Sequence, residues 1–133
     1  MQTASHPWLD TSRAPVLVAR LPASATDDEV RAYYAALEQY LFGQPRRYAF
    51  VTDARVAARA TATQRRIAAE FERRTADYDK VWCAGVAIVA DSPLARGLVT
   101  AVFWMAPPIY PYKVAASLSE ALVWARAQLD APR

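Results

Sequence analysis

One cysteine, one histidine and three glycines are all that the 133 residues contain of those types. A lone cysteine, Cys83, can form no internal disulfide and fits a reducing compartment. A lone histidine, His6, rules out a multi-histidine metal site. It also leaves any Ser-His-Asp or Cys-His arrangement dependent on a residue in what reads as a loose leader. Gly43, Gly85 and Gly97 are too scattered to make a phosphate-cradling loop. No run of about 18 apolar residues exists to span a membrane. Met1 to Asp10 lacks the basic-then-apolar order of a secretory signal. These absences lead to the expectation of a non-enzymatic, cytoplasmic protein with no catalytic residues, no cofactor and no metal.

What is present suits one globular domain over residues 1–133, with 1–7 as a loose leader and 131–133 as a tail. Apolar residues make up 54% and charged residues 22%, a balance that excludes disorder. The net charge of +3 is unevenly spread. Residues 46–74 hold eight arginines against Asp53, Glu70 and Glu72, so that window is +5 and the remainder −2. A local basic surface is expected there. Along residues 61–78 no aromatic residues interleave with the arginines beyond Phe71 and Tyr78, which are expected to face inward, and this argues against a nucleic-acid stacking platform and for a solvated face.

The chain alternates strand and helix signals. Trp8-Leu9-Asp10 reads as a short edge strand, and Pro15 to Leu21 as a strand with proline at its first position. Thr26 and Glu29 form a capping box. Val30, Tyr33, Tyr34, Leu37, Tyr40 and Leu41 then make one apolar stripe that stops at Gly43. Arg47 to Asp53 is a second core strand. A further box, Thr61 with Gln64, launches a helix with Ile67, Ala68, Phe71, Thr75 and Tyr78 facing inward. Its outer face would pair Arg66 with Glu70 and Glu70 with Arg74.

Ala84 to Ala90 is an unbroken apolar run, short enough to be a strand buried on both faces. Ser92-Pro93 caps the next helix, Leu94 to Met105, which is apolar nearly all round. Leu98, Val102 and Met105 are expected to face the sheet, leaving Val99, Phe103 and Trp104 for another partner. Three prolines bar residues 106–112 from an interior strand. Lys113 to Ala116 reads as a last short strand. Ser117 and Glu120 box the final helix, lined by Leu118, Ala121, Leu122, Ala125 and Leu129. The expected fold is α/β, a single-layer, mostly parallel mixed sheet of four to five strands with about four helices.

Several of these pieces together resemble the STAS/SEC14-like domains, relatives of the bacterial anti-anti-sigma factors. They are Val51-Thr52-Asp53, Gln64-Arg65, Gly85-Val86-Ala87-Ile88-Val89, Arg96-Gly97-Leu98 and Glu120-Ala121-Leu122-Val123-Trp124, and the likeness covers roughly residues 8–130. The resemblance implies a small cytoplasmic bacterial module that binds proteins or small ligands. It implies a regulatory hydroxyl near the helix after the Asp-ended strand, where Thr61 and Thr63 stand.

The candidate sites each have a plain structural reading beside the functional one. Asp53, Thr61, Thr63, Arg65 and Arg66 form a possible regulatory or anion-binding group. Asp53 serves equally as a loop-capping carboxylate paired with Arg55 or Arg65, and the threonines as N-caps. Leu98, Val99, Val102, Phe103, Trp104, Met105, Ile109, Tyr110 and Tyr112 form the candidate binding surface. They would join a homodimer or another protein partner, or enclose a small apolar or amphipathic ligand. The ligand reading calls for a cavity of ~300 Å³ or more between the sheet and the helix after Ser92. Alternatively, the proline-aromatic loop simply folds over the domain's own core.

Overall fold

The computed structural model describes residues 6–57 and 59–132. Its strands are β1 (Leu9–Asp10), β2 (Val16–Arg20), β3 (Tyr48–Asp53), β4 (Cys83–Val89) and β5 (Tyr112–Ala115). Its helices are α1 (Asp27–Gly43), α2 (Ala62–Arg74), α3 (Ala76–Trp82), α4 (Pro93–Met105) and α5 (Leu118–Asp130). The chain is thus an α/β fold built on one mixed, mostly parallel sheet.

Local chemistry explains the helix starts. The Glu29 amide donates to Thr26 Oγ1 at 3.1 Å and the Thr26 amide donates to Glu29 Oε1 at 2.8 Å, the reciprocal box that opens α1. Thr61 and Gln64 repeat it at α2, at 3.1 and 3.3 Å. Ser92 and Ser117 each accept one amide, from Ala95 and Glu120, at α4 and α5. The third expected box is only half made: the Glu120 carboxylate pairs with Lys113 at 3.2 Å instead.

The helices number five among the described residues, one more than expected. The segment read as a single helix through Tyr78 breaks at Thr75. There the hydroxyl and the amide both donate to the Phe71 carbonyl at 3.0 Å, and α3 begins at the next residue. The cap is made by a threonine, with no glycine or proline to announce it.

The strands lie side by side in chain order, β1-β2-β3-β4-β5, with β1 antiparallel and the rest parallel. Each parallel step requires a crossover, and crossovers of one hand taken in one direction place their helices on one face. Accordingly Leu17, Phe50 and Tyr48 lie beneath Tyr33, Leu37 and Leu41 of α1 and Phe71 of α2, with Tyr78 and Trp82 of α3 packed alongside. Ile88 lies under Leu98, Val99 and Phe103 of α4. The opposite face, with Val16, Val18, Val51, Ala87 and Val89, is covered by α5 through Ala121 and Ala125.

Alanines let α5 approach closely, and Gly85 completes the fit. A Cβ at that position would lie 3.0 Å from Trp124 Cη2 and 3.1 Å from Gln128 Cγ. Arg47, at the entrance to β3, clasps the far end of α5 by donating to the carbonyls of Leu129 at 2.6 Å and Gln128 at 3.1 Å.

The expected loose leader is only partly in view, since residues 1–5 lie outside the described residues. His6 is not loose: its ring sits edge-on to Trp8 at 4.8 Å and to Tyr33 at 5.6 Å.

Candidate functional site

The helices on the crowded face do not fill the space above the sheet. Between β3 and β4 below and α1, α2 and α4 above lies a chamber of about 160 Å³, with exposed Ala23 and Ser24 on its rim. A second void of about 60 Å³ shares Tyr33, Tyr34, Glu72 and Tyr110 as walls. The chamber is where the ligand reading placed it, but smaller than the ~300 Å³ that reading required, even with the second void added. Its cause is compositional. Ala54, Ala57, Ala60 and Ala68 meet where larger side chains would have closed the gap.

Most of the lining is apolar, with a few polar groups. α2 turns Gln64, Arg65, Ala68 and Glu72 inward at three- and four-residue steps. Gln64 is bound to α1, donating to the Ala25 carbonyl at 2.7 Å and Asp27 Oδ1 at 3.1 Å. Arg65 donates to the Ala60 carbonyl at 2.8 Å. Glu72 lies deepest. Tyr110, buried at the end of the proline loop, donates its hydroxyl to Glu72 Oε1 at 2.7 Å.

Burial pushes the Glu72 carboxyl up to about 7, more than the Tyr110 hydrogen bond lowers it, and nearby Asp79 adds to the rise. Asp79 is a second buried acid. It accepts from Tyr48 at 2.5 Å and is also raised, chiefly by burial. Cys83 beside it is pushed up to about 12, again by burial, so its thiol stays protonated and is a poor nucleophile at neutral pH.

The predicted binding residues divide into two sets. Leu98, Val99, Val102, Phe103 and Tyr110 line the chamber. Trp104, Met105, Ile109 and Tyr112 lie on the outside, Trp104 with 85% of its surface exposed and Tyr112 with its ring against Phe103 at 5.1 Å. This corrects the expected split of α4. Val99 and Phe103 face inward and Met105 faces outward, because a helix apolar on every side offers no phase from which to choose its inner face.

The possible regulatory group is not brought together around one point. Asp53 is held by Arg55, whose Nε and Nη2 donate to its two oxygens at 2.9 and 2.7 Å. Those bonds keep its carboxyl below the usual range. Thr61 is the α2 N-cap, and Thr63 accepts from Arg66 at 3.4 Å. The expected outer-face pair of Glu70 with Arg74 is not formed; Arg74 reaches across to Glu38 of α1 at 2.8 Å.

Glu72 is the candidate group that the sequence conceals. It appeared only as a charge in an arginine-rich window. The available signal was its position seven residues after Arg65 and four after Ala68, on a face shared with both. Comparison with known proteins finds no family model that matches the chain and no curated protein similar to it.

Proposed function

We infer that this chain is a non-enzymatic, STAS-like interaction module that works as a homodimer through α4 and the proline-aromatic loop. The observation that carries the reading is the outer stripe of α4. Leu94, Gly97, Ala101 and Trp104 follow at helical steps, with Leu94 75% and Trp104 85% exposed. The stripe is self-complementary. About a centre at position 99, an antiparallel copy sets Leu94 against Trp104 and Gly97 against Ala101, which is the isologous pairing that a twofold axis demands. Space is open over Gly97, where a Cβ would meet nothing within 4 Å. Arg96 is the one charged residue on the helix, so two copies can approach without facing rows of like charge. The STAS-like motifs add support from the sequence side.

Sedimentation or light scattering tests it. An interface with a Kd of about 1 µM is saturated at ~100 µM protein, so the wild type runs as a dimer there. Trp104→Asp weakens association by at least about thirtyfold, the effect of losing one ~2 kcal/mol anchor. A wild type that stays monomeric at ~100 µM removes the dimer reading.

The chamber favours a second reading, a receptor for a small, largely apolar guest. An apolar cavity of about 150 Å³ holds a molecule the size of benzene. Toluene should therefore perturb the NMR signals of Val86, Ile88 and Phe103. Ala68→Phe, which plants a ring in the void, should weaken that response more than tenfold. A wild type indifferent to toluene, with no small mass retained in native mass spectrometry, counts against this reading.

A further inference from the structure

The chamber contains a carboxyl that its own chain leaves half unused. Tyr110 occupies Glu72 Oε1, while no described residue donates to the other oxygen and no cation pairs with either. The arginines of the same helix are committed elsewhere: Arg65, two turns away, to the Ala60 carbonyl and Arg73 to the Met105 carbonyl at 2.9 Å. The hydroxyls of Thr52 and Tyr34, also lining the chamber, make no hydrogen bond to the protein. Every solvent-shielded side-chain polar atom among the described residues does have a partner. These unpaired oxygens therefore keep accessible surface. Around them stand the rings of Trp8, Tyr33, Tyr34, Phe103 and Tyr110.

We propose that the chamber is a receptor site for a small organic amine, a primary ammonium on a compact apolar body, with Glu72 as its counter-ion. The proposal rests on the small-guest reading and supplies its chemical class. An ammonium brings three donors and no acceptor, which suits a carboxylate oxygen and two hydroxyl oxygens that all have free acceptor capacity. Aromatic faces attract the cation and cover the apolar body. An anionic guest would meet the Glu72 carboxylate, while a neutral one would leave that carboxyl, once ionised, without a counter-charge. The guest and Glu72 form one buried, hydrogen-bonded ion pair, the condition under which a charge can be held out of water.

Binding then follows the ionisation of Glu72. With its carboxyl raised to about 7, affinity for an amine increases from pH 6 to pH 8, roughly five- to tenfold. Among the other titratable groups facing Glu72, Asp79 is a carboxyl raised in the same direction, and Glu72→Gln separates its contribution. Tyr33 and Tyr34 on α1 and Tyr110 before β5 are raised above their usual values. Cys83 on β4 stays a thiol. His6, edge-on to Tyr33, is lowered from its ordinary value, chiefly by burial. Asp79 on α3, also raised, is held by Tyr48 and Thr75. α4 contributes only apolar side chains to the chamber.

The test is calorimetric titration of the full chain with benzylamine, benzyl alcohol and benzoate at pH 6 and pH 8. The expected result is benzylamine binding at least tenfold tighter than benzyl alcohol at pH 8, with most of that margin lost at pH 6. Glu72→Gln should abolish the margin while still binding the alcohol. Tyr110→Phe, which leaves the carboxyl in place, should keep it. Equal or tighter binding of the alcohol, preference for benzoate, or a margin that survives Glu72→Gln overturns the amine assignment and leaves a small-guest site. No binding of any of the three by the wild type overturns both.

Discussion

Gly85→Val lowers the thermal midpoint of this protein by about 10 °C, as a loss of 2–3 kcal/mol would in a chain of this size. The position is central to β4, paired with Ala49 of β3, and faces the side covered by α5. A single added carbon meets Trp124 Cη2 at 3.0 Å, Trp124 Cζ3 at 3.1 Å and Gln128 Cγ at 3.1 Å. The glutamine can swing aside, but the indole is packed against the sheet and cannot yield without lifting α5. Two further methyl groups make the clash unavoidable. Thermal melts followed by circular dichroism give the loss, and a double-mutant cycle gives its cause. Trp124→Leu is destabilising by itself, yet in combination it should return at least about 1 kcal/mol of the Gly85→Val penalty, since contacting residues couple. Full additivity of the two changes would place the damage elsewhere.

Glu72→Gln stabilises the protein above neutral pH and hardly changes it in acid. The sign follows from proton counting. A glutamate at its ordinary 4.5 loses its proton in the unfolded chain well before the native carboxyl at about 7 does. Between those two values the native state holds more protons, so wild-type stability falls as pH rises through that window. Below 4.5 and above 7 this group contributes no slope. The full displacement corresponds to up to about 3 kcal/mol at pH 8. Glutamine has no such step and still accepts from Tyr110. Urea unfolding at pH 4 and pH 8 measures the difference between the two proteins. Asp10 and Asp53, lowered carboxyls that favour the native state at higher pH, cancel in that difference. An equal gain at both pH values would mean that Glu72 is not titrating inside the chamber.

Features fixed by neighbours in the chain were legible in the sequence. The Thr26 and Thr61 boxes, the Ser92-Pro93 start and the apolar run of β4 each depend on a few adjacent residues, and each stands where expected. Strand order depends on which edges pair across dozens of residues, and nothing local encodes it. The break at Thr75 is not legible because a hydroxyl turned back on Phe71 performs the stop. The faces of α4 could not be assigned from a stripe that runs all the way round. Glu72 was hidden for a related reason. A buried acid looks like a solvated one until the helices above it fail to meet, and that failure is a matter of alanines on several elements at once.

The two sides of the sheet are held very differently. Four helices brace one another on the first side, so each has lateral neighbours when it loosens. On the second, α5 is the one helix among the described residues, fixed by the Trp124 ring over Gly85 and by the Arg47 clasp at its end. A thermal excursion that frees this helix undresses an entire wall of valines in one step, with no adjoining helix to take its place. The molecule's exposure to proteases and to self-aggregation is therefore governed from the side opposite its chamber, by a tryptophan and a guanidinium that touch no guest.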